Sequence, residues 1–305
     1  MFVEHHLIEL RREGYRPGAW ARYVRRAMAF ARERALANPG AVRSILSVGL
    51  LLFVLTVVAS IAAALAIDTH LARRLFTWTA LGLFPMMGLT LLHVDLIRAP
   101  DGTPLDAIGW PSVITLARVA LVPAFLVCMV GGYYRLAFGV FTLAIVSDVL
   151  DGWVARHFHQ ETRFGTILDP LVDILCSFWL FVGLWIGGLV PLTLFLLAGT
   201  RMIMLLVGGS YLYVTHGPVR IHSTVPGKLT GLLLTALVAV RLAFAAFPVG
   251  VAAHRMTPIV IDATGVLLAF TLLYGWTIGW LNLRRLRSVA GTERPPVVSD
   301  VRFGS

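Results

Sequence analysis

The sequence predicts an all-α integral membrane protein, on three observations. Of 305 residues, 58% are hydrophobic and 14% charged, whereas about 25% of a soluble domain is charged. The mean hydropathy is +0.81. The apolar residues gather into eight runs separated by short stretches rich in Pro, Gly, Asp or Arg. A helix needs roughly 20 such residues to cross the hydrocarbon core of a bilayer. The expected architecture is an amphipathic N-terminal helix, two transmembrane helices and a six-helix core.

Taken in order, residues 1–43 form an Arg-rich segment with nine arginines. From Pro17 to Ala37, Trp20, Tyr23, Val24 and Phe30 share one helical face, opposed by Arg22, Arg25, Arg26 and Arg32. Such a helix suits a membrane surface or a solvated juxtamembrane position equally well, and Asn38-Pro39-Gly40 is expected to stop it. The charged region is too long for a cleavable signal peptide. Two spans follow over 44–67 and 75–97, and 98–111 reads as a loop. The core is expected over 112–287, with spans at 112–131, 135–151, 165–187, 189–214, 225–247 and 259–283, and 288–305 as a flexible tail.

An even number of spans puts both termini on one side of the membrane. Arg284, Arg285 and Arg287 follow the last span, so the positive-inside rule assigns that side to the cytoplasm. The net charge of +10 is thereby a matter of orientation and anionic headgroups, and nucleic acid is not an expected partner. Cys128 and Cys176 lie within apolar runs and read as small buried hydrophobes.

The chemistry is concentrated in residues 148–173, DVLDGWVARHFHQETRFGTILDPLVD. A charge at the centre of a membrane helix costs about 2.5–3.5 kcal/mol on insertion scales, so carboxylates there are functional by default. Asp148 and Asp151 are three apart and share a helical face, as do Asp169 and Asp173, four apart. A linker over 157–164 lets their helices run antiparallel and brings the pairs together. Four neighbouring carboxylates call for a cation. Oxygen ligands suit Mg²⁺ or Mn²⁺, as one or two ions, and two ions suit displacement at phosphorus. Gly152 and Ala155 remove side-chain bulk where a ligand approaches, Arg156 offers a fork for phosphate, and Gly165 allows another close approach.

These residues spell D-x2-D-G-x2-A-R-x8-G-x3-D-x3-D, and the stretch resembles the CDP-alcohol phosphatidyltransferase family, with every spacing met. The resemblance covers the core and leaves the first 100 residues outside it. It implies transfer of a phosphatidyl group from CDP-diacylglycerol to an alcohol, with release of CMP. It further implies divalent metal on Asp148, Asp151, Asp169 and Asp173, with Asp173 also the base for the acceptor hydroxyl. The cytidine nucleotide would be seated by Gly152, Ala155 and Arg156, with Gly165 and Thr115 beside it. A homodimer in a bacterial inner membrane, with the site facing the cytoplasm, completes the implied picture.

WPSVITLARV resembles the family's P-N-x-x-T-x-x-R opening, with Thr115 and Arg118 matching and Ser112 in place of Asn. Arg118, Arg201 and Lys228, the chain's single lysine, are candidates for substrate phosphate. Met202 follows Arg201 where relatives using glycerol 3-phosphate or phosphatidylglycerol often carry an acid. Glycerol 3-phosphate is the expected acceptor, with phosphatidylglycerol, giving cardiolipin, the alternative. His157, His159, His216 and His222 have no spacing for a closed zinc site and are expected to line the polar loops. Membrane prenyltransferases also use Asp-rich helices and Mg²⁺, but the chain lacks a second Asp-rich motif. A carboxylate-driven transporter would not require Gly-x2-Ala-Arg between the aspartates.

Overall fold

A computed structural model describes residues 15–158, 160, 162–216, 225–247 and 258–276. The tail at 288–305, the arginines at 284, 285 and 287, and the residues His159 and His222 lie outside them. The same is true of the side chains of His216 and Lys228.

All regular structure among the described residues is helical, apart from one isolated bridge between Arg98 and Pro104. Helix α1 spans Pro17–Ala37 and α2 spans Pro39–Ala66, with Asn38 alone between them. The sequence puts the stop at Asn38-Pro39-Gly40, and α1 does end there. Pro39 and Gly40, however, open α2, so the first membrane helix begins before residue 44. The physical reason is capping. The Asn38 side chain accepts from Ala41 N at 3.0 Å, and Pro39 occupies the first helical turn, where its missing N–H costs nothing.

Helix α1 exposes Trp20 and Val24 and partly buries Tyr23 and Phe30, so the expected apolar face is split between the surface and the protein. Asp68 caps α3 (Thr69–Leu92), accepting from Leu71 N at 3.1 Å. A 3-10 turn, Val94–Leu96, closes what the sequence treats as the end of the second span.

The core helices are α4 (Trp110–Val130), α5 (Tyr134–His157), α6 (Arg163–Ile186), α7 (Leu192–His216), α8 (Val225–Ala246) and α9 (Pro258–Trp276). Helix α5 runs past Asp151 to His157, which shortens the linker to residues 158–162. Among the described residues, seven helices are long and apolar enough to cross a membrane; α7 carries a shorter apolar stretch, Leu192–Gly208. Their outward faces carry Leu65, Phe84, Leu232, Val266 and Leu273. Water would not tolerate so much contiguous apolar surface, and lipid does.

Helix α4 is the centre of the packing, touching α2, α3, α5 and α6. One buried cluster runs through Phe125, Phe141, Phe181, Leu194, Leu237 and Leu268, tying α4–α9 together. A second joins Ile45 and Leu52 of α2 to Leu83, Ile97, Leu116 and Phe164. The two added helices are thus packed onto the core. Close approach of α4 and α6 depends on Gly183 and Gly187: a Cβ at Gly183 would run into the Phe125 ring, and one at Gly187 would lie 2.6 Å from Met129 Cε.

Candidate active site

The first three turns of α4 point Ser112, Thr115 and Arg118, spaced at three-residue intervals, into the bundle, and all three are buried. Helix α5 brings Asp148 and Asp151 from one side, and α6 brings Asp169 and Asp173 from the other. The Arg118 guanidinium lies between them. Its Nη1 is 2.7 Å from Asp148 Oδ1 and 3.0 Å from Asp173 Oδ1, and its Nη2 contacts Asp151 Oδ2. The remaining aspartate is reached by Thr115, whose Oγ lies 3.2 Å from Asp169 Oδ1 and 3.1 Å from Asp151 Oδ2. The same hydroxyl is 3.0 Å from Pro111 O. One hydroxyl proton therefore faces three acceptors.

All four predicted aspartates thus meet around two residues of α4. Among the described residues no three His, Cys, Asp or Glu side chains are drawn together as a ready metal cage. The donor set still fits a hard divalent ion. It is all oxygen, its four carboxylates meet one guanidinium, and Thr115 has too few protons for the acceptors around it.

The other predicted residues divide. Gly152 lies one turn before Arg156, whose Nη1 would be 3.4 Å from a Cβ added at Gly152. The two mark one face of α5, with Ala155 beside them. Gly165 is packed inward: a Cβ there would meet Thr162 Oγ1 at 3.3 Å, Ser112 Oγ at 3.4 Å and Asp169 Oδ2 at 4.0 Å. Its small size lets α6 approach the start of α4. Thr162 caps α6 by accepting from Gly165 N at 3.0 Å, which fixes where Asp169 and Asp173 fall around the helix. Arg201 comes to the site from α7. It lines a cavity of about 210 Å³ together with Arg118, Asp148, Asp173, Ser177 and Thr235. Lys228 is in the first turn of α8. His157 stacks on Trp153, with ring centroids 4.8 Å apart.

Two contributors are not apparent in the sequence. Gln160 Oε1 accepts from Trp110 N at 3.1 Å, fastening the α5–α6 linker to the start of α4. Cys176, one turn after Asp173, lines the same cavity as Arg201. Neither carries a motif; the helix packing creates both roles.

The chain is similar in sequence to several known proteins. Over 102 residues the chain is 32% identical to human cardiolipin synthase (CMP-forming), covering 33% of this chain and 34% of that protein. It is 43% identical over 68 residues to the CDP-diacylglycerol–glycerol-3-phosphate 3-phosphatidyltransferase of Pseudomonas fluorescens, 21% of this chain and 35% of the relative. With the protein of the same name from Aquifex aeolicus it is 35% identical over 105 residues, 33% of this chain and 58% of the relative. The chain thus spans about a third of the length of the first two of these relatives and more than half of the third. No solved structure matches it significantly. The profile of the CDP-alcohol phosphatidyltransferase family matches residues 109–283, helices α4 to α9 with their aspartates, and with more than half of its length matched this chain belongs to that family.

Proposed function

We propose that this protein transfers a phosphatidyl group from CDP-diacylglycerol to an alcohol and releases CMP. The observation that carries the proposal is the convergence of the motif aspartates of α5 and α6 on Arg118 and Thr115, with Arg201 across the same cavity. Glycerol 3-phosphate is the preferred acceptor, because Arg201 offers its phosphate a guanidinium in the cavity that Asp173 also lines. Similarity to proteins named cardiolipin synthase supports a second reading in which phosphatidylglycerol is the acceptor.

Asp148, Asp151, Asp169 and Asp173 are the residues that would hold Mg²⁺ or Mn²⁺, as two ions. When bound, such metal would neutralise the phosphate oxygens of the donor and polarise the phosphorus under attack. Asp173, which lines the cavity, accepts the proton of the acceptor hydroxyl. The freed oxygen forms a bond to the phosphatidyl phosphorus, and the bond from that phosphorus to the bridging oxygen breaks. The electron pair leaves with CMP. Gly152, Ala155 and Arg156 seat the nucleotide along the open face of α5, with Thr115 and Gly165 keeping α4 and α6 close beneath it. Lys228 would supply a further charge to substrate phosphate from the start of α8.

The catalytic unit in this reading is α4–α9, and α1–α3 are an addition to it. Nine arginines before residue 44 support a bacterial inner-membrane orientation with the site and both termini in the cytoplasm. The resemblance also favours a homodimer.

The test is CMP release by purified protein given CDP-diacylglycerol, Mg²⁺ or Mn²⁺, and a panel of alcohols. Metal-dependent CMP release with glycerol 3-phosphate is expected, and its absence with every acceptor would refute the proposal. An Arg201→Ala variant should raise KM for glycerol 3-phosphate; an unchanged KM would remove Arg201 from the acceptor site.

A further inference from the structure

Outside the site just described, the molecule holds a cavity of about 550 Å³, with polar and apolar groups in its lining, where α1 meets α2. Ligand pockets span about 300–1,000 Å³. Its walls come from three stretches of chain: the end of α1, the first turns of α2, and residues 94–106. Each contributes one arginine, namely Arg34, Arg43 and Arg98.

These arginines retain donors. Half-buried Arg34 lies with its Cζ 4.9 Å from the centre of the Phe30 ring, and its Nε is buried without a hydrogen-bond partner. Arg98 donates from Nε to Asp95 O at 2.9 Å and from Nη1 to Gly102 O at 3.2 Å. That anchors it with two of the five N–H groups of a guanidinium. Arg43 is exposed, and its Nε is 3.4 Å from Pro39 O. Asp95 and Asp106 also line the cavity, but among the described residues no ion pair within 4.0 Å joins them to these arginines. Three guanidinium groups against two carboxylates leave the lining net positive.

Position adds to charge. Helix α2 is a membrane span that begins at Pro39. The cavity therefore sits where that helix enters the bilayer, at the level of lipid phosphates. Planar guanidinium forks match phosphate oxygens better than any other side chain.

We propose that this cavity is a second phosphate site, remote from the aspartates, taking a phosphate ester at the membrane surface. Lipid headgroups and soluble phosphates share the required chemistry. One wall of the cavity, residues 94–106, is bonded to both parts of the protein. Asn38 Nδ2 donates to Leu105 O at 2.9 Å, and Arg163 N, at the start of α6, donates to Arg98 O at 3.0 Å. A bound phosphate would thus brace the junction from which α6 carries Asp169 and Asp173. The proposal does not depend on the transfer reaction.

The experiment uses the full chain in detergent without divalent metal and reads binding through hydrogen exchange. Inorganic phosphate is one probe, micellar phosphatidic acid the other, and diacylglycerol the control without phosphate. Slower exchange over residues 34–43 and 95–106 with either phosphate-bearing probe, and none with diacylglycerol, is the expected result. Protection by phosphatidic acid alone assigns the site to lipid; protection by both assigns it to phosphate of either source. Arg34→Gln with Arg43→Gln should weaken half-saturation by ~10-fold or more. Protection confined to residues 148–173, no protection with either probe, or an unchanged response in the double variant each overturns the proposal. Should the double variant fail to fold, Arg43→Gln alone, at an exposed position, carries the same test with the same threshold.

Discussion

Arg118→Ala removes the cation around which the aspartates are gathered, and its cost can be worked from the contacts. Arg118 is buried, and so is Asp151, whose side chain is 12% exposed; breaking such a pair costs about 3–5 kcal/mol. The side chains of Asp148 and Asp173 are 56% and 57% exposed, so solvent screens those contacts to about 0.2–1 kcal/mol each. The buried pair dominates, and the expected loss is about 3–5 kcal/mol in metal-free buffer. A divalent ion supplies positive charge to the same oxygens. Millimolar Mg²⁺ should therefore restore much of the loss in Arg118→Ala while adding less to the unsubstituted protein. The assay is thermal unfolding in detergent with EDTA or with Mg²⁺, where the variant's midpoint should fall by on the order of 10 °C in EDTA. Arg118→Lys, which keeps the charge without the fork, should fall between the two. A variant within about 0.5 kcal/mol of the parent in EDTA, or a loss that Mg²⁺ leaves untouched, would show that Arg118 does not stand in for metal.

Further outcomes follow from single contacts. Asp173→Asn should abolish CMP release while nucleotide binding persists, whereas Asp148→Ala should lose metal and nucleotide together; equilibrium dialysis with labelled nucleotide separates the two. Full turnover in Asp173→Asn would remove its role as base. Gly183→Val should drive its side chain into Phe125 and cost about 1–3 kcal/mol in thermal unfolding. Asn38→Ala removes both the cap on Ala41 N and the bond to Leu105 O, for a loss of about 1–2 kcal/mol, with faster hydrogen exchange at residues 41 and 105.

How much of this is legible in the sequence depends on the range of the interaction. The facing of Asp148 with Asp151, and of Asp169 with Asp173, follows from helical spacing alone, and the folded chain preserves it. Membrane helices are equally legible, since their length and apolarity are local. Boundaries are less so. Pro39 and Gly40 look like breakers by type, but a cap at Asn38 makes them the first residues of a helix. Thr162 likewise starts α6 before Gly165, at a position that is conspicuous only once its bond to Gly165 N is known. The placement of Arg118 among three carboxylates is not local at all. It requires α4 to lie between α5 and α6, and no spacing within α4 records which helices flank it.

The two parts of the site differ in what supports them. The aspartates hold their spacing through two helices, but their separation is set by α4, whose depth is fixed by small residues facing large ones. Gly183 takes the Phe125 ring and Gly187 takes Met129. Helix α4 is also wedged from its other side by Leu83 and Ile45 of the added helices, through the cluster that includes Leu116. Leu116 is flanked in sequence by Thr115 and followed two residues later by Arg118, so the added helices press on the turn that carries both. A helix cannot shift one of these side chains without moving the other, because 1.5 Å of rise separates successive residues on a rigid rod. Packing of α2 and α3 against α4 therefore sets where the guanidinium meets the carboxylates, although neither helix contributes a charged group to the site.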